Sequence, residues 1–189
     1  MKIATKWFVA LVTTLGTLVL IQFSLSNGMS VTSPLFSWVV NFALMFWFTI
    51  IESQFKPKLD YRYFASYPFE KEGKLYNSLG VHVYRRFLRL VGWEKQSRMA
   101  NPVKKALPAL QQCERATRVS ELGHTLIALI VLGITVFVAI KYSLAGTVWL
   151  LVFNVLLNIY PILVQRYNRP RYTRAIRRLL SLAKISTVS

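Results

Sequence analysis

The stretch NIYPILVQRYNRPR, from Asn158 to Arg171, joins the end of a long apolar segment to a dense cluster of cationic and amide side chains. The cluster consists of Gln165, Arg166, Tyr167, Asn168, Arg169 and Arg171. Pro161 precedes it and predicts a kinked or loosened helix, because proline has no backbone N–H. Arginine and tyrosine often anchor a membrane helix at the water boundary, but anchoring requires neither asparagine nor glutamine. The stretch therefore indicates either an interfacial anchor or a polar site at a membrane edge.

The composition indicates an integral membrane protein. Of the 189 residues, 54% are hydrophobic, yet the formal net charge is +17, with 24 Lys and Arg against 7 Asp and Glu. A soluble nucleic-acid-binding protein could carry this charge, but not these long uncharged apolar runs, so we predict no nucleic-acid partner. The single cysteine, Cys113, excludes an internal disulfide and a cysteine-rich metal site.

Four apolar segments are long enough to cross a bilayer. They lie at about 7–23, 34–51, 122–142 and 145–164. The first also fits a signal peptide, with small residues at Ser24 and Ser26, but we expect an uncleaved span. A short turn joins the last two and predicts an antiparallel hairpin. Asn41, inside the second span, is expected to face another helix. We therefore predict an all-α integral membrane fold of four transmembrane helices, forming a single domain over 1–189.

The charge distribution predicts the orientation. The insertion 52–120, between the second and third spans, carries 14 Lys and Arg, and the tail 165–189 carries seven. Together with Lys2 and Lys6, one side of the membrane collects 23 of the 24 cations, whereas the other side has only Lys141. The positive-inside rule then places both termini and the insertion in the cytosol of a multi-pass protein of the cell (inner) membrane.

The cytosolic insertion contains a predicted amphipathic helix. Between Val81 and Trp93, apolar residues are mixed with three arginines at a spacing typical of a basic helix that lies on a lipid surface. We expect anionic lipids to attract this helix, which makes the bilayer a predicted partner. His82 has no second His or Cys at ligand spacing, so we predict no metal there.

Functional side chains recur every three residues in CERATRVSELGH, at Arg115, Arg118, Glu121 and His124. On a helix they form a slowly drifting stripe, so Glu121 can reach His124, orient its imidazole and raise its basicity. Such a pair suits a general base that takes a proton from an alcohol. Two other interpretations are an ion pair between Glu121 and Arg118, and an E-x-x-H metal ligand. A di-iron bundle needs a second such motif, so we predict no metal.

The predicted hairpin brings the start of the third span to the end of the fourth. Glu121 and His124 are then expected near Asn158 and near the polar cluster of the opening stretch. A carboxylate–imidazole pair beside arginines and amides suits a phosphate-bearing donor. The sequence contains no Gly-rich phosphate loop, no G-x-S-x-G elbow and no H-E-x-x-H helix, which are the usual signatures of other transfer and hydrolysis reactions.

Three motifs resemble the glycosyl-diaponeurosporenoate acyltransferases of the staphyloxanthin pathway. They are FEKEGKLYNSLG at Phe69–Gly80, CERATRVSELGH at Cys113–His124 and NIYPILVQRYNRPR at Asn158–Arg171. The last contains the Asn, the Pro and the Gln-Arg-Tyr-Asn-Arg core of the family pattern. The resemblance implies a membrane O-acyltransferase that moves a fatty acyl group onto a sugar hydroxyl of a membrane glycolipid, in the family a glycosylated carotenoid.

The predicted reaction is acyl transfer from a cytosolic thioester, acyl-CoA as co-substrate, to a hydroxyl of a lipid or glycolipid acceptor, without a cofactor. His124 is the predicted base, and Glu121 orients it. The predicted donor- and substrate-binding residues are Arg115, Arg118, Asn158, Gln165, Arg166, Tyr167, Asn168, Arg169, Arg171, Glu70 and Tyr76. Cys113 as an acyl-enzyme nucleophile is a weaker interpretation, since a lone interfacial cysteine is more often inert packing.

Two other functions fit the sequence. A non-enzymatic, polybasic four-helix membrane protein would recruit anionic lipid or a partner complex, and its binding would weaken gradually as arginines are removed. Another lipid-modifying transferase, such as one that methylates a headgroup, has no cofactor signature to separate it from acyl transfer.

Overall fold

The structure, a computed structural model, describes residues 2–93 and 106–186. Within these ranges the chain forms helices and no strand, which confirms the predicted all-α class for this part of the protein. The α-helices are α1 (Ile3–Ser26), α2 (Pro34–Phe55), α3 (Leu75–Ser78), α4 (Val81–Leu90), α5 (Leu107–Lys141), α6 (Val148–Asn154) and α7 (Tyr160–Ser186). The 3₁₀ segments are Arg62–Phe64, Pro68–Gly73 and Ala145–Thr147, and a π-helical segment spans Val155–Ile159.

Four helical stretches are long and apolar enough to span a membrane, as predicted. They are α1, α2, α5 and a fourth stretch, Ala145–Ala183, that includes α6, the π-helical segment and most of α7. The third begins well before the predicted 122 and the fourth continues well past 164. Hydropathy marks only the part of a helix that suits lipid, whereas the polar extensions are rich in Arg, Leu, Gln and Ala, which favour helix in any solvent.

The chain divides into two compact units. Unit 1 comprises Met1–Lys58 and Leu122–Ile159, and unit 2 comprises Leu59–Glu121 and Tyr160–Ser189. The sequence predicted a single domain over 1–189 and gave no sign of this division into two units.

Unit 1 has an apolar core supplied by α2, α5 and α6. Its fully or nearly buried members are Phe36, Val40, Leu44, Ile127, Val131, Val138 and Leu150. A Cβ at Gly123 would lie 2.5 Å from the Phe48 ring, so glycine at this position lets α5 approach α2 closely. The Trp47 indole donates to the Thr14 hydroxyl at 2.9 Å and ties α2 to α1.

Unit 2 has a core of aromatic and aliphatic side chains from α3, α4 and α7. Its buried members are Tyr76, Val81, Tyr84, Val164 and Tyr167. Gly73 has a φ of +91°, and a Cβ there would lie 3.1 Å from the carbonyl oxygen of Tyr167. The positive φ favours glycine, and the missing Cβ lets the second 3₁₀ segment lie close to α7.

The predicted amphipathic helix is present as α4. Val81 and Tyr84 are buried on one side, and the Tyr84 ring stacks on Tyr160 with centroids 4.9 Å apart. Burial raises the pKa of Tyr84 to about 12, so its hydroxyl stays neutral. On another side Val83 is 71% exposed and Leu90 is 87% exposed. The structure thus confirms the helix, whereas its cytosolic location stays a prediction.

Candidate functional site

Two carboxylates and two arginines form an ion network in the interior of unit 2. Glu121 on α5 is fully buried and Glu70 in the second 3₁₀ segment is nearly so. Arg166 on α7 donates from Nε to Oε1 of Glu121 at 2.7 Å and from Nη1 to Oε1 of Glu70 at 2.6 Å. Its Nη2 donates to the carbonyl oxygen of Tyr63 at 3.1 Å. Arg166 therefore connects α7 to α5 and to the two neighbouring 3₁₀ segments.

Arg169, one turn further along α7, is engaged in the same way. Its Nε donates to the Thr117 hydroxyl at 2.9 Å, and Nη1 donates to the carbonyl oxygen of Phe64 at 3.0 Å. Its Nη2 donates to the Thr117 carbonyl oxygen at 3.2 Å and also to Oε2 of Glu121. Only 4% of Arg169 is exposed. Both carboxylate oxygens of Glu121 thus accept from arginine.

Tyr76 completes the network around Glu70. Its hydroxyl donates to Oε1 of Glu70 at 2.6 Å, while the backbone N–H of Tyr67 donates to Oε2 at 3.0 Å. Burial and the hydrogen bond to Glu70 both raise the pKa of Tyr76, so the hydroxyl remains a donor. Glu70 is thereby fixed in position by three separate donors.

The ion network acts as an internal tie between segments of unit 2. Its charges balance, and each guanidinium nitrogen of Arg166 and Arg169 has a partner within the unit. A buried, balanced and fully hydrogen-bonded cluster of this kind fixes one arrangement of its segments. The predicted donor-binding role of these two arginines stays a prediction, and their contacts favour a structural role.

A second polar network lies inside unit 1 and consists of asparagines. Asn41 on α2 donates from Nδ2 to the carbonyl oxygen of Ser37 at 2.8 Å. Asn154 at the end of α6 donates from Nδ2 to the carbonyl oxygen of Ala128 at 3.1 Å. A carbonyl oxygen can only accept, so each of these amides must direct Nδ2 to the backbone and keep Oδ1 as an acceptor. Asn41 also accepts from Asn158, so the expectation that it faces another helix is confirmed.

Asn158, in the π-helical segment, donates to both of these acceptor oxygens. Its Nδ2 donates to Oδ1 of Asn41 at 2.7 Å and to Oδ1 of Asn154 at 3.0 Å. Its own Oδ1 then lies 3.3 Å from Nδ1 of His124 on α5. An amide oxygen has no proton, so Nδ1 of the imidazole must carry one. The ring also forms a hydrogen bond to the backbone of Leu157. The three asparagines therefore place a proton on Nδ1 of His124 and orient the ring.

The predicted pairing of Glu121 with His124 is wrong. Glu121 accepts from two arginines, which bind a carboxylate more strongly than a neutral imidazole does. His124 is oriented instead by Asn158. We expected both residues near Asn158 and the polar cluster; of these contacts the structure shows Glu121 with Arg166 and Arg169, and His124 with Asn158.

The other candidate residues have separate environments. Arg118 donates to Glu114 at 2.7 Å, to the Leu59 carbonyl oxygen at 2.6 Å and to Asp60 at 3.3 Å, so the alternative pairing with Glu121 is also wrong. Arg115 is exposed on α5. On α7, Gln165 and Asn168 are half-buried, Tyr167 is buried and Arg171 is exposed. Cys113 is buried.

Sequence reasoning missed several residues that build these networks. The backbone carbonyls of Tyr63 and Phe64 leave no trace in a sequence, and Thr117 resembles any helical threonine. Asn154 precedes Asn158 by one helical turn, a spacing that could have signalled their contact. The Thr125 hydroxyl is buried and has no partner within 2–93 and 106–186, which makes it a candidate donor to a bound substrate. Within the same ranges no group of three or more His, Cys, Asp or Glu is placed to hold a metal ion.

Comparison with known families decides the reaction class. The family described as glycosyl-4,4'-diaponeurosporenoate acyltransferase matches residues 60–178. The chain belongs to this family. The acyltransferase match confirms the resemblance of the three motifs, and it includes the ion network together with His124, Asn154 and Asn158. No curated protein and no solved structure matches this acyltransferase.

Proposed function

We propose that the protein transfers a fatty acyl group from a thioester donor to a hydroxyl group of a membrane-embedded acceptor. Membership of the acyltransferase family supports the transfer of an acyl group. The observation that carries the rest is the state of His124, whose Nδ1 faces the Asn158 oxygen. A neutral imidazole held in this way has a basic Nε2, as the activation of an alcohol requires.

The proposed step is a direct transfer. Nε2 of His124 takes the proton of the acceptor hydroxyl while the oxygen attacks the thioester carbonyl carbon. The C–S bond breaks, and the leaving thiolate takes the same proton from the imidazolium, which returns the ring to its starting state. Asn158 stabilises the imidazolium, because its oxygen accepts the Nδ1–H throughout. Asn158 therefore has the orienting role that was predicted for Glu121.

The donor and acceptor follow from the setting. We propose acyl-CoA as the donor, since it is an abundant thioester on the side where the positive-inside rule places the basic segments. For the acceptor we propose a sugar hydroxyl of a glycolipid, because the family name describes a glycosylated, apolar acid. Such a molecule resides in the bilayer, where the four apolar helical stretches also belong.

We also propose that both termini and α4 lie on the cytosolic face of the cell membrane and contact anionic lipid. The exposed apolar side chains of α4, Val83, Phe87 and Leu90, can enter the lipid surface. Arg86 and Arg89 on the same helix carry the positive charge that anionic headgroups attract.

The test is acyl transfer in reconstituted membranes. Wild-type protein, acyl-CoA and a glycolipid extract should yield a lipid heavier by one acyl group, detected by mass spectrometry. His124→Ala should lower kcat by about 100-fold or more, since it removes the base. Gln111→Ala, an exposed change on the same helix, should leave kcat unchanged.

Two results would count against the proposal. Full activity of a folded His124→Ala protein would remove His124 from the base role. A wild-type protein that forms no acylated lipid with any acceptor in the extract would instead favour recruitment of anionic lipid or a partner.

A further inference from the structure

One hydroxyl group of unit 1, that of Thr125, differs from the other buried polar groups that the structure describes. Among the buried side-chain nitrogen and oxygen atoms of residues 2–93 and 106–186, Oγ1 of Thr125 alone lacks a hydrogen-bond partner. Burying a polar group without a partner costs free energy, above all in the apolar part of a membrane helix. Native proteins retain few such groups, and a catalytic role or a bound molecule is a common cause.

Other threonines in the helices of unit 1 show what is unusual about Thr125. A helical threonine often donates its hydroxyl proton to the backbone carbonyl oxygen four residues earlier. Thr135, on the same helix, donates in this way to the Val131 carbonyl oxygen at 2.7 Å, and Thr14 on α1 donates to its own helix at 2.8 Å. Thr125 does not make this bond with any residue of 106–186. Its hydroxyl proton is therefore not committed within α5.

Thr125 follows His124 directly on α5, and the two positions flank the face that α6 approaches. Asn154 at the end of α6 donates to the carbonyl oxygen of the buried Ala128. Because an α-helix turns by about 100° per residue, position 128 lies about 40° from position 124 and about 60° from position 125, between the two. Positions three and four residues apart are neighbours on a helix surface. A single bound group can therefore contact both Thr125 and His124.

The proposed acyl transfer requires a hydrogen-bond donor at a second atom. As the acceptor oxygen attacks, the thioester carbonyl oxygen gains negative charge, and donors directed at that oxygen stabilise the transition state. His124 acts on the acceptor hydroxyl in this step. The amide nitrogen of Asn158 cannot supply the donor, because it has two protons and gives them to Asn41 and Asn154. The uncommitted hydroxyl of Thr125 meets this requirement.

We propose that the Thr125 hydroxyl donates a hydrogen bond to the carbonyl oxygen of the thioester during acyl transfer. This role rests on the proposed function and adds a substrate-binding residue to it. When the acceptor oxygen bonds to the carbonyl carbon, an electron pair of the C=O bond moves to the carbonyl oxygen, and Thr125 stabilises that charge. The pair then re-forms the C=O bond as the C–S bond breaks, and the leaving thiolate takes the proton held by His124. Thr125 keeps its own proton throughout.

Acyl-transfer kinetics of full-length variants in reconstituted membranes test this role. Thr125→Val replaces the hydroxyl with a methyl group of similar size and should lower kcat by about 100-fold or more, with KM changed less than about threefold. Thr125→Ser keeps a hydroxyl and should restore kcat to within about fivefold of the wild type. Thr135→Val is the matched control, because Thr135 is a buried threonine on the same helix whose hydroxyl is bound to the backbone. It should leave kcat unchanged.

Thermal unfolding provides a second readout that does not depend on activity. Thr125→Val removes a buried hydroxyl that has no partner in the described ranges, so this variant should melt at the wild-type temperature or above it. Thr135→Val loses a hydrogen-bonded hydroxyl and should melt no higher than the wild type. A loss of kcat without a loss of stability indicates a group that is kept for the substrate and not for the fold.

Three results would overturn the role of Thr125. Wild-type kcat in Thr125→Val, or in Thr125→Ala if the valine variant does not fold, would show that the substrate needs no hydroxyl here, as when only a water molecule binds it. Equal losses of kcat in Thr125→Val and Thr125→Ser would assign the effect to packing. Either result, with His124-dependent transfer by the wild type, leaves the proposed function intact. A wild type that acylates no lipid removes the function, and the role of Thr125 with it.

Discussion

At the residue scale, the state of His124 depends on hydrogen bonds that begin at two backbone carbonyls, those of Ser37 and Ala128. Each bond fixes the orientation of one amide side chain. The oxygens of these two amides accept from Asn158 and so fix its orientation, and the Asn158 oxygen faces Nδ1 of the imidazole. The sequence predicted that His124 lies near Asn158, but it assigned the orienting role to Glu121. Spacing along one helix shows which side chains can meet, whereas the choice among competing partners depends on side chains from other helices.

Asn158→Ala tests this dependence. Without the amide oxygen, the imidazole loses the side-chain acceptor of its Nδ1–H, so we expect kcat to fall by about 10- to 100-fold with little change in KM. Asn154→Ala removes one of the two acceptors of the Asn158 amide and should have a smaller effect. Acyl-transfer kinetics with both variants provide the measurement. Equal activity of Asn158→Ala and wild type would contradict the orienting role.

At the scale of elements, the π-helical segment Val155–Ile159 is the feature that positions Asn158. Pro161 follows it and has no N–H to donate to the Leu157 carbonyl, four residues earlier. The sequence predicted a disturbed helix at Pro161, and the structure confirms it. The sequence could not predict the type of disturbance, because a kink, a frayed helix end and a π-helical segment can each result from the same missing backbone donor.

Pro161→Ala should allow a regular α-helix through this region. The restored N–H would donate to the Leu157 carbonyl, and the change of register would move Asn158 away from its partners. We expect acyl transfer to fall about tenfold without loss of thermal stability, since alanine favours helix. Pro108→Ala, in the first turn of α5 where a proline costs no hydrogen bond, is the control. Activity equal to that of Pro108→Ala would show that the π-helical segment is dispensable.

At the scale of the whole molecule, hydropathy and charge predicted the four membrane-spanning stretches, because both are averaged over many residues. The division into two units was not predicted, since it depends on contacts between segments far apart in sequence. In unit 2, the ion network joins the first 3₁₀ segments, α5 and α7 through Glu70, Glu121 and Arg166. The integrity of that unit should therefore depend on single charged residues.

Glu70→Gln should lower the free energy of unfolding by about 3 kcal/mol, because the buried network then holds the two guanidinium groups of Arg166 and Arg169 against a single carboxylate, Glu121. Denaturant titration in detergent is the measurement. Glu114→Gln breaks a more exposed pair, with Arg118 at 26% exposure, and should cost only about 0.5 kcal/mol. Similar losses in the two variants would show that the network does not support the unit.

The three linked amides also have a consequence for the history of the protein. The hydrogen bonds of Asn41, Asn154 and Asn158 form only when each amide has the orientation that its neighbours impose. A change at one of these positions is therefore expected to be tolerated only with a compensating change at another. Positions 41, 154 and 158 are therefore expected to covary among relatives as one inherited set. Asn41 lies outside residues 60–178, so the evolutionary constraint on this acyltransferase should extend beyond the region that identifies its family.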